Sequence, residues 1–374
     1  MLHLTASVKS GARELVIFFS LRYVFSGVTG ILPAALHPRR TSVVIFRNGV
    51  TFHAKVASGA WGFGARGYPS MLFHPRALFS LLSIPPRQWP GMILVWIKLV
   101  VEWYCLRAGM LNSTDFIFTT KTLSFDPITG NPYGAWLRVL MDGYLNAVGL
   151  ANPGLVAWVR AELPSLVRRG VRPIVSIAPN TPEEAETMVG ELAAHDLQIS
   201  AIELNPGCPN TDEGRRMFQD PQAVVDIVRA AVRMAGRSNI PVILKLSVMH
   251  DWKTIIRQCA SLVDAFELIN SVPWKQIYGT QVSPLEAYGG GGCSGPVIYP
   301  IMREVLIEAR KMTTKPLLAG GGITTLSHAR EIMRLGADAV VFGTAFISDP
   351  RRTRDIAREL KLGSPPRPTF NSVA

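Results

Sequence analysis

A (β/α)8 TIM barrel is the fold class this sequence predicts, and three observations predict it. From residue 55 onward short β-type runs alternate with segments of helical periodicity, the pattern of βαβ units around a parallel sheet. There are eight such runs. Nearly all of them end in polar or glycine-rich turns, where a barrel gathers its ligand-binding loops. An open doubly wound sheet would not need eight strands.

The strands are expected at Lys55 to Ala60, Phe116 to Lys121, Pro173 to Ala178, Ile199 to Asn205, Pro241 to Ser247, Ala265 to Ser271, Lys315 to Gly320 and Ala339 to Ala345. Between them, Pro182 to His195, Pro221 to Ala235, Pro300 to Lys311, Ser327 to Leu335 and Asp349 to Leu360 carry apolar stripes at helical spacing. Several open with proline or aspartate, which suit a first helical turn. The span from Arg66 to Ser113 is too long for a βα connection and reads as an insertion, with Pro85, Pro86 and Pro90 ahead of the apolar run Met92 to Leu106. It predicts an extra helix over the barrel; Trp89, Trp96, Trp103 and Arg107 also suit a lid or a membrane-contact element. The expected organisation is an N-terminal extension over 1–46, a barrel over 47–362 with the insertion at about 66–113, and a flexible tail over 363–374.

Composition narrows the function classes. In 374 residues, 48% hydrophobic and 18% charged leave enough apolar mass for a sizeable core and exclude a disordered or collagen-like chain. A formal charge of +12 favours phosphorylated ligands, nucleic acid or anionic membranes without choosing among them. Cys105, Cys208, Cys259 and Cys293 form no CxxC pair, and no histidines fall in an HxH or HExxH pattern, so no metal is expected. Such cysteines suit the reducing cytosol. The apolar stretch from Leu15 to Leu36 is broken by Arg22, two glycines and Pro33, and falls short of a spanning helix of about 20 apolar residues.

Chemistry is expected at the strand ends. Gly320-Gly321-Gly322 and Gly343-Thr344 follow the last two strands, where backbone N–H groups can approach a phosphate, with a helix starting near Thr325 directed at it. Gly290 to Gly295, a third glycine-rich stretch, precedes them. Lys121 and Lys245 interrupt or end apolar strands, where an ammonium can stabilise an anionic ligand or a reduced cofactor; a solvated surface lysine is the plainer reading. Asn146, Asn205, Asn210 and Asn270 together offer the donors and acceptors that hold a planar polar ring. Cys208 lies in a turn directly after a strand, between Gly207 and Pro209, as a nucleophile, a base or a small turn residue. Cys105 and Cys259 read as buried small hydrophobes, and His74, His250 and His328 as ordinary loop or helix residues.

Together these residues resemble the dihydroorotate dehydrogenase family, FMN-dependent barrels of pyrimidine synthesis. The resemblance runs from about Arg47 to Arg354. It is carried by Asn205-Pro-Gly-Cys208-Pro-Asn210, Thr120-Lys121-Thr122, Gly130-Asn131-Pro132, Asn146 to Leu150, Ile269-Asn270-Ser271, Ser294-Gly295-Pro296, Gly321-Gly322 and Gly343-Thr344. It implies oxidation of dihydroorotate to orotate with Cys208 as the base of a class 1-like site, since the membrane class carries serine there. It implies substrate contacts at Lys121, Asn146, Ala147, Val148, Gly149, Leu150, Asn205, Asn210, Asn270 and Ser271. It further implies FMN contacts at Ala57, Ser58, Lys121, Asn205, Lys245, Ile269, Gly295, Gly321, Gly322, Gly343 and Thr344. The electron acceptor is left open among fumarate, a quinone and a partner flavoprotein. A homodimer and peripheral contact with the inner face of a membrane are left open as well, and no nucleic acid is expected.

The long insertion and the apolar start depart from the family pattern. Asn-Pro-Gly-Cys-Pro is also similar to dihydrouridine synthases, flavin barrels whose cysteine acts as an acid, but the helical RNA-binding domain of those enzymes has no counterpart in the short segment after Leu360. A second alternative is a non-catalytic membrane-associated flavin barrel, which would have no use for a base at Cys208.

Overall fold

The computed structural model describes residues 44–57, 115–132, 137–207 and 217–362. Most of the expected N-terminal extension, the whole 66–113 insertion with its apolar run, the tail from 363, and Ser58, Cys208 and Asn210 lie outside the described residues.

Eight parallel strands close a barrel: β3 (Ala54–Ala57), β4 (Ile117–Thr119), β7 (Ile174–Ile177), β8 (Ala201–Leu204), β9 (Val242–Leu246), β10 (Ala265–Leu268), β13 (Leu317–Gly320) and β14 (Ala339–Phe342), with β14 pairing back onto β3. Each lies inside, or within one residue of, its expected run. These short apolar runs become strands because β-branched and aliphatic side chains fill both faces of a buried parallel sheet. The β4–β7 seam is the thinnest, with Thr119 opposite Ile174 and a bridge from Leu123 to Ile177.

The expected helices form, several with side-chain N-terminal caps in place. Thr181 accepts from the Glu184 amide ahead of α3 (Pro182–Ala193), and Asp220 accepts from the Gln222 and Ala223 amides ahead of α4 (Pro221–Ala235). In α3 the buried side chains are Ala185, Met188, Val189 and Leu192, one stripe at helical spacing that packs onto the sheet. α7 (Tyr299–Met312), α8 (Leu326–Arg334) and α10 (Pro350–Leu362) complete the expected set. Five helices were not foreseen: α1 (Leu155–Ala161), α2 (Leu163–Arg168), α5 (Trp252–Cys259) and two of five residues each, α6 (Trp274–Tyr278) and α9 (Thr344–Ser348). α1 starts at Gly154 without a side-chain cap and gives way to α2, whose first turn holds Pro164, so neither shows a long periodic stripe.

Two further features shape the ends of the barrel. A hairpin of β1 (Val44–Ile45) and β2 (Thr51–Phe52) begins before the expected boundary at Arg47. It buries Val44, Phe46 and Phe52 in a cluster with Ile174, Ala201, Ile243, Ala265, Leu318 and Ala339, which come from the N-terminal parts of the strands. A second, antiparallel sheet is built from the loops after β4 and β10, in the order β11 (Val272–Pro273), β12 (Gly292–Ser294), β6 (Tyr144–Asn146), β5 (Arg138–Val139). It brings Asn146, Ser271 and Ser294 to the mouth of the barrel. Among the described residues no helix is long and apolar enough to cross a membrane.

Candidate active site

A cavity of about 160 Å³ lies where β9, β10, β13 and β14 end. One corner is formed by Gly320 to Ile323 and Gly343 to Ala345, the loops after the last two strands, with Gly295 and Ile298 beside them. Gly322 has φ +75°, and a Cβ there would stand 2.6 Å from the Gly295 carbonyl oxygen and 2.9 Å from Tyr299 Cβ. Glycine is therefore required for the Gly322 loop to close on the segment from Gly295 to Tyr299. Gly343 differs, because a Cβ there would meet nothing within 4 Å and a side chain would enter the open space. This is a cradle bordered by backbone, with the Thr344 hydroxyl alongside, and it fits a phosphate group. The helix expected near Thr325 starts at Leu326, with the Thr325 hydroxyl accepting from the His328 amide as its cap, and the loop at Gly343 borders the cavity as expected.

Lys245 projects from β9 into this cavity and is 8% exposed, which excludes the solvated-lysine reading. Its ammonium lies 3.0 Å from Glu267 Oε1 and 3.8 Å from Glu203 Oε1. Lys55, fully buried on β3, donates to Oε2 of both Glu203 and Glu267. Two lysines and two glutamates thus alternate around a neutral square in the barrel interior. Burial alone would lower the Lys245 pKa, but the two carboxylates more than offset it and hold the ammonium charged above its usual range. Burial likewise opposes ionisation of Glu203, yet Lys55 and Lys245 hold its pKa down to about 2.

From this square a hydrogen-bond chain runs to the polar residues of the mouth. Ser176 Oγ donates to Glu203 Oε1 at 2.8 Å, Thr122 and Ser176 hydroxyls meet at 2.9 Å, Asn205 Nδ2 donates to Thr122 Oγ1 at 3.0 Å, and Asn270 Nδ2 donates to Asn205 Oδ1 at 3.0 Å. Three of the four asparagines expected to converge do so: Asn270 and Asn146 both line the cavity, and Asn205 is bonded to Asn270, while Asn210 lies outside the described residues. Asn146 is set by its own bond to the Gly292 carbonyl, which fixes β6 against β12. Ile269, Ser271 and Gly295 line the cavity as well, and Ala57 ends β3.

Other expected residues do not line this cavity. Lys121 follows β4, buried at 5% exposure. The loop Ala147, Val148, Gly149 and Leu150 turns back on Asn131, whose amide and side chain donate to Val148 O and Ala147 O, each at 3.0 Å. His250 is not an ordinary loop residue. It is 5% exposed, its Nδ1 accepts from the Ser247 amide, and its Nε2 would stand 3.1 Å from a Cβ on Gly207. Burial lowers its pKa to about 4, so it is neutral at pH 7. Phe218 would be 2.7 Å from the same Cβ, so Gly207, with φ +86°, lets the chain pass close over Phe218 and His250 as it leads into Cys208. Cys259 and Cys293 are buried thiols, pushed up by burial to about 12 and about 11, and have no nucleophilic role. Among the described residues no group of His, Cys, Asp or Glu is arranged to hold a metal ion.

Sequence reasoning missed Lys55, Glu203 and Glu267. The signal was present: each is the single charged residue of an otherwise apolar strand, Ala54-Lys55-Val56-Ala57, Ala201-Ile202-Glu203-Leu204 and Ala265-Phe266-Glu267-Leu268. In a strand buried on both faces such a charge must have buried partners.

The sequence profile described as dihydroorotate dehydrogenase matches residues 107–362 of this chain. The catalytic subunit of dihydroorotate dehydrogenase B (NAD(+)) from Pelobacter propionicus is 34% identical over 246 residues, 65% of this chain and 80% of that protein. The corresponding subunit from Maridesulfovibrio salexigens is 33% identical over 257 residues, 68% of this chain and 83% of that one. A Solibacter usitatus relative named for the fumarate-linked form, dihydroorotate dehydrogenase A, is 36% identical over 248 residues, 65% of this chain and 79% of its own. Among solved structures, DHODH from Eimeria tenella in complex with ferulenol superposes with a TM-score of 0.61 at 18% identity, over 89% of this chain and 88% of that one, a likeness of fold.

Proposed function

The chain belongs to the dihydroorotate dehydrogenase family, and from that premise we propose that it is an oxidoreductase that converts dihydroorotate to orotate in pyrimidine biosynthesis with FMN as cofactor. The observation that carries this reading is one cavity with a glycine cradle at one corner, a charged buried lysine on its wall and paired asparagines at its mouth. FMN, when bound, supplies the hydride acceptor. Gly295, Gly321, Gly322, Gly343 and Thr344 would hold its phosphate end, and Lys245 would place positive charge where negative charge develops.

The chain's own residues do the rest. Cys208 takes the proton from C5 of dihydroorotate; its thiol, with an ordinary pKa of about 8.5, needs only modest lowering to serve at neutral pH. Lys121 offsets the substrate carboxylate, while Asn146, Asn205, Asn210 and Asn270 present amides to the ring, and Ser271 adds a hydroxyl. Ala57, Ser58 and Ile269 complete the cofactor contacts, and the Ala147 to Leu150 loop, braced by Asn131, the substrate side.

A partner subunit that passes electrons to NAD is the acceptor favoured by the relatives named NAD(+) catalytic subunits; fumarate is the second reading, supported by the Solibacter relative. The free thiols among the described residues, Cys259 and Cys293, fit a cytoplasmic setting.

Lys121→Ala tests the substrate half of this reading. The variant should keep its flavin and lose turnover, with the Michaelis constant for dihydroorotate rising at least about tenfold for loss of one charge-assisted contact. Unchanged turnover and Michaelis constant would remove Lys121 from the site.

A further inference from the structure

Resting on the flavin site just proposed, we infer that Glu267 is a proton-storing group of that site, which takes up one proton from solvent when negative charge is placed beside Lys245. The alternating square of Lys55, Glu203, Lys245 and Glu267 is neutral with all four groups charged. An additional negative charge beside Lys245 unbalances it, and a buried cluster cannot recruit a counter-ion from solvent. Protonating one carboxylate restores the balance.

Geometry selects which carboxylate. Glu203 receives the Ser176 hydroxyl at 2.8 Å in addition to its lysines, a bond that favours the ionised form. Glu267 accepts from the two lysines, with Oε1 on Lys245 and Oε2 on Lys55, lies against the Glu203 carboxyl, and lines the cavity, from which a proton can arrive. The groups that face it are Lys245 on β9, Lys55 on β3 and Glu203 on β8. Its other neighbour, β13, pairs through Leu317, Leu318 and Ala319 and brings no titratable side chain. Burial and the nearby Glu203 charge raise the proton affinity of Glu267, and Lys245 and Lys55 only partly offset this. A unit charge arriving several ångströms away adds about two pKa units at an effective interior dielectric of about 20, roughly a 10²-fold gain in proton affinity.

The step balances simply. The flavin, when bound, would gain two electrons and one proton: both as hydride from dihydroorotate in the proposed reaction, or electrons from dithionite and the proton from water in the test. This leaves one net negative charge, and Glu267 forms one O–H bond with a second proton from water. No bond within the protein breaks.

The test is a spectroelectrochemical titration of the full chain loaded with FMN, reading protons taken up per two electrons from the pH dependence of the midpoint potential between pH 7 and 9. Dithionite-level mediators make the result independent of dihydroorotate. Wild type should take up two protons and Glu267→Gln one. A single proton in wild type overturns the inference, as do two in both proteins, which would place the second on the ring. Should Glu267→Gln fail to fold, infrared difference spectra of wild type decide: reduction should produce a protonated-carboxyl band that shifts in D2O, and its absence overturns the inference. A full chain that takes up no flavin overturns the proposed function and this inference with it, whereas a loaded chain with one-proton uptake overturns the inference alone.

Discussion

Replacing Cys208 with alanine is expected to leave FMN bound and to slow its reduction by dihydroorotate roughly 10²–10⁴-fold, the range for loss of a positioned general base. The size of the effect follows from the chemistry of the step. C5 of the substrate gives up its proton only to a base poised near the working pH, and no other thiol is a candidate among the described residues, because burial holds Cys259 and Cys293 protonated. His250, whose imidazole lies against Gly207 at the start of the Cys208 turn, does not replace it. It is enclosed, with Nδ1 engaged by the Ser247 amide. Cys208→Ser should retain a small activity that rises with pH, because a hydroxyl is a base only in the rare alkoxide form. Anaerobic stopped-flow reduction at several pH values reads both variants, and an alanine variant reduced as fast as wild type would make Cys208 a turn residue.

The second large effect is expected at the cradle. Gly343→Leu should lower FMN affinity at least about 10²-fold, the loss of one to two charge-assisted hydrogen bonds at a phosphate. The side chain has room, since a Cβ on Gly343 meets nothing within 4 Å, so the apoprotein should unfold at the same temperature as wild type. Gly322→Val is the contrasting variant. There the added atoms collide with Gly295 and Tyr299 at a positive φ, and both stability and flavin affinity should fall. Fluorescence titration with FMN beside thermal unfolding separates the two. Wild-type affinity in Gly343→Leu would move the phosphate elsewhere.

Much of this fold was legible because alternation carries so much information in a βαβ chain. All eight barrel strands and five of the helices coincide with apolar runs and capped stripes, and α4 occupies Pro221–Ala235 as expected because Asp220 and Pro221 mark its start clearly. The hairpin at Val44 and the antiparallel sheet at the mouth were not legible. Their strands are two or three residues long, too short to show a period, and they are held by long-range packing. Within the site, glycines and asparagines announced themselves through turn chemistry and strand-end position. The charged square did not, because Lys55, Glu203 and Glu267 are separated by 148 and 212 residues from Lys55 outward, and only barrel closure brings them together. Lys245 was read as a ligand contact, whereas it is also one corner of that square.

The measurement that tests the central claim most directly is anaerobic mixing of the purified full chain, loaded with FMN, with dihydroorotate while flavin absorbance is followed. The account predicts that the yellow band bleaches in one phase and that orotate appears, one molecule per flavin. A chain that binds FMN and is bleached by dithionite, yet keeps its full absorbance with saturating dihydroorotate, would contradict it.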